Sequence, residues 1–297
     1  RKEQLEVLQK LQFSRISLGV QDFNSEVQKL INRNQTFEDT KRVTDIAREL
    51  GYTSINYDLV YGLPRQTKES ISYTIEKTVE IKPDRIAFYS YAHVPWIKAS
   101  HRLFTEDDLP KGSEKRTLYE TGRNIFSRNG YEEIGMDHFA LRTDGLWKSS
   151  VEGRLHRNFM GYTENKTDVQ LGLGVSAISD SWYAFHQNEK ILKRYDKRIL
   201  SNELPTLRGH KLNSEDLQQR AYILELSTKW EVSLSEHAAN RAKKYLTLME
   251  ADRLIEWQGN KLTISGLGKP FLRNICMGLD FRLQDHVPET RVFSRAI

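Results

Sequence analysis

The sequence predicts an α/β protein in two parts, a parallel β/α array followed by a smaller, mostly helical region. Apolar strand-like runs alternate with helical stretches in the first part, which is typical of parallel βαβ units. The alternation ends at residue 141, and long amphipathic helices begin at residue 214. We therefore expect 1–140 to form the C-terminal part of a β/α barrel, 141–205 an irregular connection that completes the site, and 206–297 a helical domain.

Turn and capping residues mark the ends of the elements in the array. Residues 54–61 are rich in β-branched and aromatic side chains, and Gly62-Leu63-Pro64 ends this strand. Thr67 begins the helix that follows, which runs to residue 81, and Gly51 ends the helix before the strand. The same reasoning gives strands at 15–20, 85–91 and 132–139 and helices at 37–50 and 114–128.

The first ten residues have the leucine spacing of a helix, with Leu5, Leu8 and Leu11 on one side. A βαβ array that begins with a helix lacks the strand that should precede it. We therefore expect that the barrel is incomplete in this sequence and that its N-terminal part has been removed.

The last part has the element order of a winged-helix domain. Two helices, at 214–230 and 235–254, precede a hairpin at 254–257 and 261–265 that turns at Gly259-Asn260, and one further helix contains Phe271, Ile275 and Leu279. Winged-helix domains can bind nucleic acid, with Arg241, Lys243 and Lys244 as candidate contacts. The helix before the wing ends in Glu250-Ala251-Asp252, however, where a DNA reader needs basic residues. We expect a solvated helix face and no nucleic-acid partner.

Bulk composition limits the class of protein. The net charge is +5, from 45 basic and 40 acidic residues, which does not separate nucleic acid, membrane and anionic small molecules as partners. No run approaches the ~20 apolar residues of a membrane span, so we expect no membrane partner. Cys276 is the only cysteine, which excludes an internal disulfide and favours a cytoplasmic protein with one buried thiol.

Polar residues within the predicted strands are the candidate site. Asn56 and Asp58 share one face of the strand at 54–61, opposite the apolar side chains. A carboxylate placed there is costly unless it is paired or hydrogen-bonded. Arg33, or the hydroxyl groups of a ligand, would meet this cost. The residues alone do not decide whether Asp58 and Arg33 form a structural ion pair or a ligand site.

Three further residues have functional side chains in polar stretches. His138 ends the predicted strand at 132–139, and His156 and Arg157 lie in the irregular region. Zinc-ligand spacing, a phosphate-binding P-loop and a dinucleotide-binding glycine motif are all absent from the sequence. The residues alone therefore predict a ligand-binding α/β barrel with an accessory helical domain.

Several longer strings resemble a known family. LGVQDF (18–23), NR (32–33), NYDLVYGLP (56–64) and QT (66–67) resemble the radical S-adenosylmethionine barrel of the coproporphyrinogen oxidase group. GMDHFA (135–140), HRNFMGYT (156–163) and RNICM (273–277) resemble the oxygen-independent coproporphyrinogen III oxidases themselves. Related haem chaperones usually have a shorter His-Asn-x-x-Tyr-Trp motif at 156–162, and a haem chaperone remains the alternative.

The resemblance implies an oxidoreductase of haem and porphyrin biosynthesis. The family binds a [4Fe–4S] cluster through a C-x-x-x-C-x-x-C loop, with one S-adenosyl-L-methionine on the fourth iron and a second nearby. A 5′-deoxyadenosyl radical then starts the oxidative decarboxylation of two propionates of coproporphyrinogen III to vinyl groups, giving protoporphyrinogen IX. An electron donor and an electron acceptor take part. We expect a monomer.

The family's functional positions carry over to specific residues here. By resemblance, Gln21, Arg33, Asp58 and Ala92 contact the second S-adenosylmethionine, and Ile178 contacts the cluster-bound one. His138, His156 and Arg157 are candidates for the substrate site. The cluster cysteines have no counterpart, so we expect no metal ligand in this chain and no activity from it alone. Met160 stands where the family commonly has glutamine.

Overall fold

The computed structural model describes residues 2–95 and 104–286. These residues belong to two compact units, one ending at Glu152 and the other beginning at Gly153. The three-part division predicted from the sequence stays a prediction. Within the described ranges, no helix has the length and apolar character needed to cross a membrane.

The first unit alternates strands and helices in the predicted order. Its strands are β1 (Arg15–Gln21), β2 (Ser54–Tyr61), β3 (Arg85–Ser90), β4 (Tyr131–Gly135) and β5 (His138–Leu141). Its helices are α1 (Lys2–Lys10), α2 (Ser25–Leu30), α3 (Phe37–Glu49), α4 (Lys68–Ile81), α5 (Ser113–Arg128) and α6 (Gly145–Val151). The predicted α/β class is confirmed.

One five-stranded sheet in the order β1-β2-β3-β5-β4 forms the centre of this unit. Strands β1, β2 and β3 are parallel, whereas β5 is antiparallel to β3. In the register of the sheet, Gly19 pairs with Asp58, Asp58 with Ala87, and Ala87 with His138. These four residues form one row across four strands.

The single strand predicted at 132–139 is wrong. The chain reverses at Met136-Asp137 and forms the antiparallel hairpin β4–β5, with Asp137 in the left-handed region at a φ of 62°. His138 therefore begins β5 and does not end a strand. The prediction failed because neither residue of this turn is a glycine, so the sequence carries no common hairpin-turn signal at that point.

Strand β2 shows why the two faces of the sheet differ. Ile55, Tyr57 and Leu59 are 0% exposed and pack in the core, while Asn56 and Asp58 are half-buried on the other face. The core side is completed by Ile71 and Ile75 of α4, which are also fully buried. The alternation predicted from the sequence is thereby confirmed.

A buried ion pair lies at the amino ends of these strands. Asp144 accepts hydrogen bonds from Arg85 Nε at 2.8 Å, from Ser54 Oγ at 2.8 Å and from the backbone N–H of Leu146 at 2.7 Å. It thus joins the starts of β2 and β3 to the start of α6. The amino ends of parallel strands usually serve stability, and the carboxyl ends serve function.

The second unit contains three small sheets and several helices. Its strands are β6 (His156–Asn158), β7 (Gly161–Thr163), β8 (Ile178–Asp180), β9 (Ala184–Asn188), β10 (Thr206–Lys211), β11 (Glu231–Ser233), β12 (Ile255–Gln258) and β13 (Lys261–Ile264). Its helices are α7 (Leu192–Leu200), α8 (Ser214–Lys229), α9 (Glu236–Ala251), α10 (Leu272–Met277) and α11 (Phe281–Asp285).

The end of this unit has the winged-helix element order that the sequence predicts. Strands β11, β13 and β12 form an antiparallel sheet after α8 and α9, and the wing turns at Gly259. Two expectations are corrected. The last helix is divided into a short 3-10 turn, α10 and α11, and the stretch expected to be irregular holds α6, α7 and strands β6 to β9.

Candidate functional site

Arg33 lies beside β1 at the carboxyl end of the parallel strands. Its Nη2 atom donates to the carbonyl oxygen of Gly19 and, at 3.2 Å, to Oε1 of Gln35. Its Nε atom donates to the same Gln35 oxygen at 3.3 Å. These bonds hold the guanidinium above Gly19, which pairs with Asp58 in the sheet.

Asp58 is the carboxylate of this group. Its Oδ2 atom accepts from Ser17 Oγ at 3.2 Å, and its Oδ1 atom accepts from Asn56 Nδ2 at 2.8 Å. Burial raises the pKa of Asp58, although both hydrogen bonds and the charge of Arg33 act in the opposite direction. Arg33 and Asp58 therefore interact through charge without a direct salt bridge.

Gly19 makes the close approach of these side chains possible. A Cβ atom at this position would stand 2.9 Å from Gln21 Nε2 and 3.3 Å from Arg33 Nη2. Real Cβ atoms rarely approach other atoms so closely. A side chain at position 19 would therefore push the Gln21 amide and the Arg33 guanidinium away from the strand.

Gln21 lies at the carboxyl end of β1 and Ala92 just beyond the carboxyl end of β3, the two strands that flank β2. Gln21 ends β1 with a left-handed φ of 70°, an uncommon conformation for a residue other than glycine. Ala92 follows β3 and is exposed. The backbone N–H of Tyr91 donates to the carbonyl oxygen of Tyr61 at 2.8 Å, which extends strand pairing almost to Ala92.

His138 occupies the far end of the row that begins at Gly19. Its Nδ1 atom is 2.7 Å from the carbonyl oxygen of Met136, which makes Nδ1 the protonated nitrogen when the ring is neutral. The ring packs edge-on against Tyr89 at 5.9 Å between centroids. His138 is half-buried, on the same side of the sheet as Asp58.

Lys115 is a residue near the strand ends that sequence reasoning missed. It is only 9% exposed, and its Nζ atom donates to the carbonyl oxygen of Tyr91 at 3.1 Å. Its side chain fills the space over Gly62, where an added Cβ would stand 2.8 Å from the Lys115 Cε atom. Lys115 lies between Glu114 and Arg116 in the sequence, so nothing marks it as buried.

The remaining predicted residues lie in the second unit. His156 on β6 is 6% exposed, and burial, followed by the charges of Lys166 and Arg220, lowers its pKa. Ile178 begins β8 and is half-buried. Met160, which replaces the family's usual glutamine, is 70% exposed.

Arg157 lines a cavity of about 380 Å³ within this unit, together with Arg220 and Arg282. Its guanidinium lies 5.5 Å from the centre of the Tyr162 ring. Arg220 is bound through two nitrogens to Asp180, at 2.9 and 2.7 Å. The cavity thus contains both signs of charge, and His156 does not line it.

Comparisons with known proteins agree with this fold. Residues 1–78 match the family profile of the Radical SAM superfamily. The chain is 37% identical over 311 aligned residues to the oxygen-independent coproporphyrinogen III oxidase of Escherichia coli (strain K12), a match that covers 100% of the chain and 68% of the relative. The same-named protein of Helicobacter pylori (strain 26695) is 35% identical over 294 residues, covering 95% and 64%.

The solved structure of the Escherichia coli coproporphyrinogen III oxidase, described as a radical SAM enzyme, has a TM-score of 0.90 to this chain. The two are 36% identical, and the match covers 95% of this chain and 68% of that one. Fold and sequence thus define a radical SAM protein. Within that superfamily, the chain belongs to the oxygen-independent coproporphyrinogen III oxidase family.

The residues of this chain fit one of the two cofactors that the superfamily uses. A [4Fe–4S] cluster needs several thiolates, but Cys276 is the only cysteine and is buried in α10. Within residues 2–95 and 104–286, no group of His, Cys, Asp and Glu could hold a metal ion. S-adenosylmethionine fits better, because Arg33 and Asp58 match its carboxylate and its hydroxyl or ammonium groups.

Proposed function

We propose that the protein catalyses the oxidative decarboxylation of two propionate side chains of coproporphyrinogen III, giving protoporphyrinogen IX. The observation that supports this proposal most directly is the group formed by Gly19, Asp58 and Arg33. It offers a guanidinium and a carboxylate over a strand residue without a side chain, in a chain of this family.

S-adenosylmethionine is the ligand that we assign to this group. Arg33 would bind its carboxylate, since a guanidinium stays charged and presents paired donors. Asp58 would accept from the ribose hydroxyls or the ammonium, and the side-chain amide of Gln21 would add a neutral contact. Ala92 and Ile178 would give backbone or apolar contacts to adenosine-bearing parts of the two S-adenosylmethionine molecules.

S-adenosylmethionine bound at the cluster would accept one electron from a donor and supply the radical that removes a hydrogen atom from the substrate. Each propionate would lose that hydrogen atom, carbon dioxide and one electron, and would become a vinyl group. The electron would pass to an acceptor. The role of the protein residues is to orient the side chain and to exclude water from it.

His138, His156 and Arg157 are our candidates for binding the four propionates of the substrate. Arg157 is the foremost of the three because it lines a cavity and a guanidinium presents paired donors to a carboxylate. His138 offers a ring nitrogen on the site face of the sheet. His156 is buried and its lowered pKa favours a neutral ring, so it would serve as a hydrogen-bonding group.

The test uses the protein expressed from its complete gene and reconstituted anaerobically with iron, sulfide, S-adenosylmethionine and a reductant. We expect conversion of coproporphyrinogen III to protoporphyrinogen IX, with two carbon dioxide molecules released per substrate. A protein that cleaves S-adenosylmethionine without releasing carbon dioxide, yet retains haem through gel filtration, is a haem chaperone. That result would overturn the proposed function.

A further inference from the structure

Asp22, the residue after Gln21, has a fully buried carboxylate. It is 0% exposed, and each of its oxygens accepts short hydrogen bonds. Oδ1 accepts from the backbone N–H of Asn24 and from Thr74 Oγ1, both at 2.6 Å, and Oδ2 accepts from Gln66 Nε2 at 2.6 Å. All three donors are neutral.

Through Gln66, Asp22 is connected to the loop that ends β2. Gln66 Oε1 accepts from the backbone N–H of Gly62 at 2.7 Å, and Gln66 Nε2 also donates to the carbonyl oxygen of Val60 at 3.1 Å. The carboxyl ends of β1 and β2 are therefore joined by a side-chain bridge in addition to the sheet.

Through Gln28, Asp22 is also connected to the segment that holds Arg33. Gln28 Nε2 donates to the carbonyl oxygens of Asp22 at 2.7 Å and of Gln35 at 2.8 Å, and Gln28 Oε1 accepts from the Gln35 N–H at 2.9 Å. Gln35 in turn accepts from Arg33. A continuous path thus runs from the backbone carbonyl of Asp22, the residue whose carboxylate is held on three sides, to the guanidinium.

A residue that served stability alone would be an inefficient choice here. Burying a carboxylate without a cation is costly, and burial raises the pKa of Asp22 despite its hydrogen bonds. An amide or hydroxyl would fill the same space without ionisation. Three directed bonds from three elements do, however, fix the backbone next to Gln21 more firmly than a neutral group would.

We propose that Asp22 is a positioning residue that holds Gln21 and Arg33 in place for S-adenosylmethionine. This inference rests on the proposed function for the identity of the ligand. Asp22 would not touch the ligand itself, because its carboxylate is enclosed by Asn24, Thr74 and Gln66. Its effect would act on the geometry of its neighbours.

The test exchanges donors and acceptors between Asp22 and Gln66. In Asp22→Asn, an amide NH2 group faces the NH2 group of Gln66, so the bridge is lost while the shape is kept. In Asp22→Asn combined with Gln66→Glu, the amide introduced at position 22 donates to the carboxylate introduced at position 66, and the bridge is restored. We expect S-adenosylmethionine to bind the single variant about tenfold more weakly and the double variant with an affinity between the two, because the carboxylate at position 66 keeps the bridge to position 22 but cannot donate to the Val60 carbonyl.

Binding is measured by equilibrium dialysis with the anaerobically reconstituted protein expressed from its complete gene. A second readout needs no ligand: hydrogen exchange of the backbone amides of Gln21 and Arg33. Exchange should be faster in the single variant and should slow again, towards the wild-type rate, in the double one. Thr78→Val is the control, since it removes a buried hydrogen bond one turn further along α4 and leaves Asp22 untouched.

The outcomes separate the two proposals. Equal exchange rates and equal affinity in wild type and Asp22→Asn would overturn the positioning role. Loss of affinity in Thr78→Val as large as in Asp22→Asn would also overturn it, by showing a general stability effect. A third outcome is possible: exchange is altered in Asp22→Asn, but the wild-type protein binds no S-adenosylmethionine. Asp22 would then still be a residue that positions this loop, and the proposed ligand would be overturned.

Discussion

Gly19 and Asp58 pair side by side in the parallel register of β1 and β2, so a residue without a side chain lies next to the one carboxylate on the site face of β2. Gln21 and Arg33 use the space that Gly19 leaves open. The site therefore depends on an absent methyl group as well as on the charged groups around it.

Gly19→Ala should weaken S-adenosylmethionine binding by about tenfold, or about 1.4 kcal/mol. The added Cβ would displace the Gln21 amide and the Arg33 guanidinium, whose flexible ends can move, so the fold should persist. Calorimetric titration of the purified variant checks this. Gly266→Ala is the matched control, because nothing lies within 4 Å of a Cβ added there. Equal affinity in Gly19→Ala and wild type would contradict the prediction.

Arg33→Ala should lose more affinity than Arg33→Lys. Removing the partner of a bound carboxylate costs about 2 to 5 kcal/mol, while lysine keeps the charge but loses the paired donors. Titration of both variants with S-adenosylmethionine and with its decarboxylated analogue gives the measurement. The analogue lacks the carboxylate, so it should bind wild type and Arg33→Ala with similar affinity. A large loss for the analogue as well would place the role of Arg33 elsewhere.

Asp58→Asn should make the ligand-free protein more stable at neutral pH. Burial raises the folded-state pKa of Asp58 above its ordinary value of 3.8, so the folded state binds the proton more tightly than the unfolded chain does. Its contribution to stability is therefore largest below 3.8 and falls as pH rises through the folded value. Urea unfolding across this range should show the advantage of the variant shrinking as pH falls. A pH-independent difference would refute this account.

Asp144→Ala should destabilise the first unit by about 3 kcal/mol, because it removes the buried carboxylate that the half-buried guanidinium of Arg85 contacts. Asp45→Ala, which breaks an exposed pair with Lys41, should cost at most about 1 kcal/mol. Chemical denaturation of both variants gives the comparison. Similar small losses in both would show that the Asp144 pair adds little.

Cys276 should be unreactive in the folded protein and unable to hold an iron–sulfur cluster. Burial raises the pKa of its thiol to about 12, so almost no thiolate exists at neutral pH. A disulfide reagent should modify it only after denaturation, and iron–sulfide reconstitution of this 297-residue chain should leave no cluster signal in paramagnetic resonance. The prediction would be refuted if the reagent labelled the native chain rapidly, or if each chain bound the iron of a complete [4Fe–4S] cluster.

The predictability of each element depended on the length of its pattern. Strand β2 was located to the residue because the six positions 54–59 alternate between polar and apolar, the run is rich in β-branched and aromatic residues, and a Gly-Leu-Pro turn ends it. Strands β6, β7 and β8 have three residues each, too few to show a period. The turn at Asp137 escaped notice because its left-handed backbone is held by tertiary contacts and not by a glycine.

The residues of the candidate site also differ in how far local sequence could predict them. The face shared by Asn56 and Asp58 followed from strand alternation, but only the resemblance distinguished a ligand site from a structural pair. Asp22 and Lys115 gave no local signal, because burial of a charged residue depends on which segments fold over it. Thr74 and Gln66, which bond Asp22, are 52 and 44 residues away in sequence.

The hydrogen bonds made by the side-chain amide of Gln28 have a consequence for binding kinetics. They hold the segment before Arg33 through neutral groups, and Gln28 is only 5% exposed, so dissolved ions neither screen nor compete with them. Added salt should then weaken the long-range attraction between Arg33 and an approaching anionic group without moving the guanidinium. Salt would slow the association of the ligand and leave its residence time on the protein nearly unchanged.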